Sequence, residues 1–288
     1  MPAWAEGLRS ACRQRRLVLA LTALLACHGA PGGAQTSDLV SRTALRVCAD
    51  PANDPMSMQD GSGYENRLAE LIASKLDLPV TYEWYPMATG FIRNTLKAGK
   101  CDVVMGYAQG HELVLNSNHY MTSAFVLIVP AGGDLAVVRK LDDPALQGHR
   151  IGVIAGSPPA NHLARNGLIG KAKPYQLVVD RRHDSPSGQM LDDLAAGRID
   201  AAVMWGPIAG PLVKRRGMDV AVIPLLREDH FPKLFYRITM GVRQGEKVWQ
   251  RKLNSLIRRH QGEIDAILAE AGVPLVSDMG DKMIELGQ

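Results

Sequence analysis

Residues 98–106 read Ala-Gly-Lys-Cys-Asp-Val-Val-Met-Gly, and residues 196–206 read Ala-Gly-Arg-Ile-Asp-Ala-Ala-Val-Met-Trp-Gly. Each stretch has the order of a helix end, a capping glycine, a polar step and an apolar strand that ends in glycine. Helix–Gly–strand units also recur by chance in chains that alternate helices and strands. The similar context upstream of both stretches favours the interpretation that they are equivalent units of two similar lobes.

The sequence around both units alternates between short apolar strands and amphipathic helices. Such alternation predicts an α/β fold, in which each lobe has a mostly parallel sheet flanked by helices. The predicted elements are strands at residues 45–49, 80–84, 102–105, 150–154, 175–179 and 200–204 and helices at residues 65–76, 91–98, 161–166 and 188–196.

Two further strands are predicted to connect the lobes. The apolar run 124–130 leads out of the first lobe, and the run 237–243 returns to it ahead of a long amphipathic helical region. Lobe one is therefore predicted to comprise residues 40–128 plus 237–288, and lobe two residues 129–236. Two crossover strands form a hinge, which permits closure around a ligand.

The first 34 residues have the layout of a secretory signal. Four arginines and one acid precede the apolar run 17–26, and small residues and breakers lead to a predicted cleavage after Ala34. The run is shorter than the roughly 20 apolar residues of a transmembrane helix. We therefore predict a signal peptide at residues 1–34 and export to the periplasm. The alternatives are an uncleaved anchor and a lipid anchor at Cys27, whose preceding Leu25 fits a lipobox poorly.

Composition and motifs exclude several function classes. Removing the signal takes away four of the 33 Lys and Arg residues and one of the 29 Asp and Glu residues, which leaves 29 against 28. A nearly neutral chain of this kind gives no reason to expect a nucleic-acid partner. No other apolar stretch reaches membrane length, so no stable membrane span is predicted. The sequence also lacks a G-x-S-x-G elbow, a P-loop, an H-E-x-x-H pair and a calcium loop, so no catalytic residue, metal site or cofactor is predicted.

Ligands of open α/β sheets bind beyond the carboxyl ends of the strands, so the strand ends define a candidate cleft. Glycines there let a ligand approach the backbone, and aromatic side chains offer apolar or stacking surface. The candidate cleft residues are Asp50, Asn53, Tyr64, Arg93, Gly106, Tyr107, Gln109 and Thr122 in lobe one and Gly156, Ser157, Trp205 and Gly206 in lobe two.

Some of these residues have an equally good structural interpretation. Asp50 can cap the turn before Pro51, and Arg93 can lie on a solvated helix flank. Glu65, in the first turn of a predicted helix, is interpreted as favourable to the helix dipole rather than functional.

The pair Cys48 and Cys101 remains after cleavage of the signal. An oxidising compartment favours a disulfide between them. Their offset along neighbouring parallel strands, about three residues or roughly 10 Å, opposes it. A disulfide needs Cα atoms within about 7 Å, so both alternatives stay open.

Several motifs together resemble a known family. They are Arg46-Val-Cys-Ala-Asp-Pro, Gly63-Tyr-Glu-Asn, Gly90-Phe-Ile-Arg-Asn-Thr-Leu and Gly99-Lys-Cys-Asp-Val-Val-Met-Gly. Across the whole chain after the signal, the sequence resembles type II periplasmic solute-binding proteins. More narrowly, it resembles the MoxJ/XoxJ-type, quinoprotein dehydrogenase-associated substrate-binding proteins. The resemblance implies the two-lobed type II binding-protein fold.

The sequence departs from the amino-acid binders of the broad family at two places. Those binders hold the α-carboxylate with an arginine shortly after the strand that matches residues 102–106, and the α-ammonium with an aspartate. Here the loop after Gly106 has no arginine, and Trp205 occupies the acid position. An α-amino acid would lose two charge-assisted contacts of roughly 1.5–3 kcal/mol each. Amino-acid import is therefore not expected.

The narrow resemblance implies a non-enzymatic accessory protein. Such a protein would support the maturation or activation of a PQQ-dependent methanol or alcohol dehydrogenase, with the c-type cytochrome of that enzyme as a second candidate partner. The cleft is then expected to accept a protein segment or an apolar ligand. One alternative is a substrate-binding protein for a small non-amino-acid solute, with an ABC permease as partner. A dehydratase-like periplasmic enzyme is the other, and the missing arginine weighs against it.

Overall fold

The computed structural model describes residues 39–284, so the predicted signal peptide at 1–34 and Cys27 lie outside the described residues. In chain order, the strands are β1 Leu45–Ala49, β2 Ala52–Asn53, β3 Ser57–Met58, β4 Val80–Trp84, β5 Val103–Ala108, β6 Leu115–Pro130, β7 Ile151–Ile154, β8 Lys173–Tyr175, β9 Ala201–Trp205, β10 Val220–Pro224 and β11 Phe235–Val242. The α-helices are α1 Tyr64–Ser74, α2 Phe91–Asn94, α3 Pro158–Arg165, α4 Pro186–Ala195, α5 Gly206–Arg216 and α6 Lys247–Ala271.

Nine of the strands form one hydrogen-bonded sheet in the order β4-β1-β5-β11-β6-β9-β7-β8, with β10 also paired to β6. β1 pairs in parallel with β4 and β5, and β7 pairs in parallel with β8 and β9. The strands β6 and β11 run antiparallel to their neighbours and join the two parallel groups. We use lobe one for the group of β4, β1 and β5, and lobe two for the group of β9, β7, β8 and β10. The predicted α/β fold class is confirmed.

The two sequence units quoted first occupy equivalent places in the two lobes. The backbone N–H of Asp102 donates to the carbonyl of Arg46 at 2.7 Å, and that of Asp200 donates to the carbonyl of Arg150 at 2.8 Å. Each aspartate also accepts a hydrogen bond from the guanidinium of the same arginine. The polar step of each unit therefore ties the start of one strand to the start of its parallel neighbour.

The core divides along the same lines. In lobe one, Val47 packs into the cluster beneath α1 and α6, and the adjacent Cys48 packs into the cluster on the opposite face, because successive strand residues point to opposite sides. In β6, the run from Val126 to Val129 is fully buried, and its residues alternate between two clusters of lobe two. A sheet covered on both faces requires such a continuous apolar run.

Several elements differ from the predictions. The strand predicted over 175–179 is β8, which ends at Tyr175, and β2, β3 and β10 were not predicted. The helix predicted over 91–98 ends at Asn94, where Thr95 leaves helical backbone angles and its hydroxyl donates to the carbonyl of Phe91. The outgoing strand begins at Leu115, whereas the sequence predicted a start at residue 124. The prediction missed the first half of the strand because that half is polar and has no strand pattern. The helix α5 was not predicted, since its two prolines indicate a break. One of them, Pro207, lies in the first turn. The backbone N–H that proline lacks would have no partner inside the helix at this position.

Cys48 and Cys101 are joined in a disulfide, with their Cα atoms 5.4 Å apart. The register argument against this bond is wrong for a geometric reason. The strand β5 begins only at Val103, and the turn before it folds Cys101 onto the sheet face that carries Cys48. The two cysteines therefore meet across that face rather than along the strands.

We expect the disulfide to contribute strongly to stability. It spans a sequence separation of 53 residues, for which loss of unfolded-chain entropy corresponds to about 4 kcal/mol. The double substitution Cys48→Ala/Cys101→Ala should lower the free energy of unfolding in denaturant titrations by up to that amount. Reductant should destabilise the wild type and leave the double variant unchanged. Equal stability of the two proteins under oxidising conditions would contradict the assignment.

Candidate functional site

An apolar cavity of about 300 Å³ lies between the lobes, at the ends of the strands that the sequence rule indicated. Among residues 39–284, the side chains that line it carry no charge. The strands β5, β6, β9 and β11 contribute most of the wall, and the β2–β3 turn and the start of α3 complete it. The lining residues are Met56, Gly106, Ala108, Met121, Phe125, Pro158, Trp205, Tyr236 and Ile238.

Three half-buried aromatic side chains form one wall of this cavity. The ring centroid of Trp205 lies 5.2 Å from that of Phe125 and 5.8 Å from that of Tyr236, with steep angles between the ring planes. Strand register explains the cluster, because Phe125 pairs directly with Trp205 across β6 and β9. Tyr236 arrives from β11 on the other side of β6. Edge-to-face packing of this kind provides a firm apolar surface. We call Phe125, Trp205 and Tyr236 the aromatic wall.

A bulge near the end of β5 decides which predicted residues face the cavity. Gly241 of β11 opposes Val104, but Thr239 opposes Tyr107, so β5 carries one extra residue between the two pairs. A bulge of this kind re-aims the side chains that follow it. Gly106 therefore faces the cavity. Tyr107 packs on the opposite side of the sheet, beside the disulfide cluster and edge-on to His111. The prediction that Tyr107 offers cleft surface does not fit this cavity.

Glu65 packs directly against Gly106. A Cβ atom on Gly106 would lie only 2.0 Å from Oε1 of Glu65, so the carboxyl occupies the space that any other residue would fill. Glu65 is 5% exposed, and its Oε1 has no hydrogen-bond partner among the described residues. Burial raises the pKa of this carboxyl from 4.5 to about 7. The sequence analysis interpreted Glu65 only as favourable to the helix dipole and did not indicate its contact with Gly106.

Two predicted residues, Asp50 and Asn53, meet a side chain that the sequence reasoning missed. The Asp50 carboxylate accepts hydrogen bonds from the backbone N–H groups of Ala52 and Met87, and it lies 3.4 Å from Nη1 of Arg181. The same Nη1 donates to Oδ1 of Asn53 at 2.6 Å. Asp50 thus caps its turn and also takes part in a contact between the lobes.

A second contact joins the lobes nearby. Arg215, near the end of α5, donates to both carboxylate oxygens of Asp54 at 2.9 and 2.5 Å. Such bidentate pairs fix orientation as well as distance. We call the contacts of Arg181 and Arg215 with Asp50, Asn53 and Asp54 the interlobe latch. No sequence pattern signals it, because each pair joins residues more than a hundred positions apart.

Other predicted site residues are buried without facing the cavity. Tyr64 lies in the core of lobe one, and its hydroxyl has no partner among the described residues. Thr122 is also buried, with an unpartnered hydroxyl. Ser157 precedes α3 and donates its hydroxyl to the carbonyl of Ile154. A Cβ on Gly206 would approach the carbonyl of Ala124 to 2.5 Å, so this glycine serves close packing of α5 against β6.

The remaining three predicted residues are exposed. Arg93 lies on the outer side of the short helix α2, and Gln109 donates its backbone N–H to the carbonyl of Arg237. Gly156 has a φ of +74° in the turn before α3, a backbone conformation that favours glycine. None of the three lines the apolar cavity.

Two general features of the described part of the chain bear on its chemistry. Within residues 39–284, no three His, Cys, Asp or Glu side chains converge in a way that could hold a metal ion. Over the same range, every helix is too short or too polar to cross a membrane.

Comparison with known proteins places the chain among solute-binding proteins. Residues 45–271 match the model of the bacterial extracellular solute-binding proteins, family 3. The curated protein MoxJ of Methylorubrum extorquens is 29% identical over 294 residues, which cover 93% of this chain and 96% of MoxJ.

Solved structures agree with this placement. The periplasmic binding protein XoxJ from Methylobacterium extorquens AM1 is 38% identical and superposes with a TM-score of 0.70, over 82% of this chain and all of XoxJ. MxaJ from Methlophaga aminisulfidivorans MPT has a TM-score of 0.71 at 23% identity, over 81% of this chain and all of MxaJ. The second likeness concerns the fold alone.

We expect the interlobe latch to hold the two lobes together. The substitution Asp54→Arg places two cations face to face, so it should increase the radius of gyration in small-angle X-ray scattering. The charge-reversed pair Asp54→Arg/Arg215→Asp restores the attraction and should return the radius to the wild-type value. An unchanged radius in the single variant, or no recovery in the double variant, would show that the latch does not set the lobe arrangement.

We also expect Glu65 to make stability depend on pH. Because its pKa is raised on folding from 4.5 to about 7, the folded state binds the proton more tightly. The contribution of Glu65 to the free energy of unfolding is then fully present below pH 4.5, decreases by about 3 kcal/mol as the pH rises toward 7, and is lost above pH 7.

Denaturant titrations of the wild type and of Glu65→Gln at pH 5, 6, 7 and 8 measure this effect. The free energy of unfolding of Glu65→Gln should increase relative to that of the wild type as the pH rises. A difference that is constant with pH would mean that Glu65 has an ordinary pKa in the folded state.

Proposed function

The chain belongs to family 3 of the bacterial extracellular solute-binding proteins, and from this premise we propose that it is a non-catalytic periplasmic accessory protein for a PQQ-dependent alcohol dehydrogenase. In this proposal the protein supports maturation or activation of the enzyme, and its cleft accepts a segment of the dehydrogenase. The c-type cytochrome of the same system is a second candidate partner.

The observation that carries the proposal is the apolar character of the cavity beside the aromatic wall. The cavity at the strand ends has no charged side chain in its described lining, whereas an amino-acid receptor needs one charge for the α-carboxylate and one for the α-ammonium. The charged groups Asp50 and Arg181 are already engaged with each other across the lobes. An apolar cleft walled by aromatic side chains suits a protein segment, because such residues dominate the energetic centres of protein interfaces.

The sequence motifs support the choice of partner. The stretches beginning at Arg46, Gly63, Gly90 and Gly99 resemble the MoxJ/XoxJ type, whose members work beside PQQ-dependent methanol dehydrogenases. The similarity to MoxJ covers nearly the whole of both chains. The proposal therefore extends to this chain the association that the narrow resemblance implies.

The cavity also favours one alternative. Its volume of about 300 Å³ lies at the lower end of the range for small-molecule sites, roughly 300–1,000 Å³. A receptor that delivers a small apolar solute to an ABC permease would have such a cavity. This alternative predicts a defect in uptake of that solute rather than in dehydrogenase activity.

A deletion strain tests the proposal directly. Periplasmic extract of the deletion strain should have at least tenfold lower activity of the PQQ-dependent dehydrogenase than wild-type extract, and purified protein added back should restore it. The variant Trp205→Ala should restore little, because it opens the aromatic wall. The control is Phe231→Ala, which removes an aromatic side chain that is 75% exposed and outside the cavity. Full activity in the deletion strain, or equal rescue by both variants, would contradict the proposal.

A further inference from the structure

One acidic group lies at the boundary of the apolar cavity. The Oε1 atom of Glu65 fills the position of a missing side chain on Gly106, and Gly106 is part of the cavity wall. The methyl group of Met56 lies 3.4 Å from the same position, and Met56 also lines the cavity. Methionine side chains are flexible and adapt to their neighbours. Met56 is therefore the adaptable side chain at the place where the carboxyl and the cavity meet.

One oxygen of this carboxyl has no donor in the described part of the chain. Within the described residues, Oε1 of Glu65 has no hydrogen-bond partner, and neither do the nearby hydroxyls of Tyr64 and Tyr120. The charge of Glu65 is felt at both tyrosines, whose pKa values are raised first by burial and then by this charge. A buried acceptor without a donor costs free energy, so it marks a place where a ligand's donors would be stabilising.

The rest of the cavity suits a positive charge. The aromatic wall presents three rings, and ring faces attract cations in desolvated sites. No lysine, arginine or histidine is among the described lining residues, so no internal cation competes for Glu65. A compact ammonium suits a single carboxylate oxygen, whereas a guanidinium prefers two oxygens in a bidentate arrangement.

We propose that this cavity binds an aliphatic ammonium group, with the carboxyl of Glu65 as its counter-charge and the aromatic wall around its alkyl chain. The ammonium belongs either to a free alkylamine or to a lysine side chain of a protein partner. The inference rests on the proposed function in so far as both use the same cavity, and it names the chemical group that the cavity selects.

Calorimetry with two probes of equal size tests the inference. At pH 8, where the carboxyl of Glu65 is ionised, we expect n-butylammonium to bind at least tenfold more tightly than n-butanol, which keeps the alkyl chain and lacks the charge. In Glu65→Gln this preference should disappear, while binding of n-butanol stays within twofold. The control is Glu228→Gln, which changes another buried glutamate, placed beside His162 in lobe two and outside the cavity. It should keep the preference of the wild type.

Two blocked peptides distinguish the sources of the ammonium group. Acetyl-Gly-Lys-Gly-amide should bind more tightly than acetyl-Gly-norleucine-Gly-amide if a protein lysine is the natural ligand. Binding of n-butylammonium without binding of the lysine peptide supports the same site with a free alkylamine as its ligand. If Glu65→Gln does not fold, the comparison of charged and neutral probes on the wild type decides alone.

Equal affinity for n-butylammonium and n-butanol, binding of neither, or an unchanged preference in Glu65→Gln would overturn the inference. Such results leave the proposed function intact when the purified protein still restores dehydrogenase activity to the deletion extract. Failure of that rescue, with the ammonium preference present, would instead overturn the proposed function and keep the site.

Discussion

The register of β6 is the constraint on which the rest of the structure depends. This strand pairs with β11 in its first half and with β9 and β10 in its second half, so it belongs to both lobes. The same pairing places Phe125 opposite Trp205 and brings Tyr236 to the other side. A slip of one residue would turn each of these side chains to the other face of the sheet. The connection between the lobes and the wall of the cavity thus both depend on this strand.

The second constraint is the close packing of Glu65 against Gly106. The extra residue in β5 turns Gly106 toward the carboxyl, and only glycine leaves room for it. The protein thereby keeps one unsatisfied acid at the edge of an otherwise apolar cavity. Arg181 and Arg215 are used differently, since both join the lobes. The cavity is therefore apolar at its surface, with the carboxyl of Glu65 packed against its wall.

The fold could be predicted because its signals are local. Strand and helix periodicity and the shared order of Asp102 and Asp200 within their units indicate two equivalent lobes. The strand-end rule also placed Gly106 and Trp205 in the cleft. What the sequence could not indicate depends on contacts between distant residues. No local sequence pattern indicates the partner of Arg181 or the burial of Glu65. Cys101 lies in the turn before β5, so strand register does not indicate its contact with Cys48.

Hydrogen–deuterium exchange of the protein, alone and with the apo-dehydrogenase, tests most directly the proposed insertion of a dehydrogenase segment into the cleft between the lobes. We expect slower exchange at residues 103–108, 121–125 and 201–206 in the complex, and unchanged exchange at residues 134–146 of lobe two. Protection confined to the outer surface, or no protection at the strand ends, would contradict it.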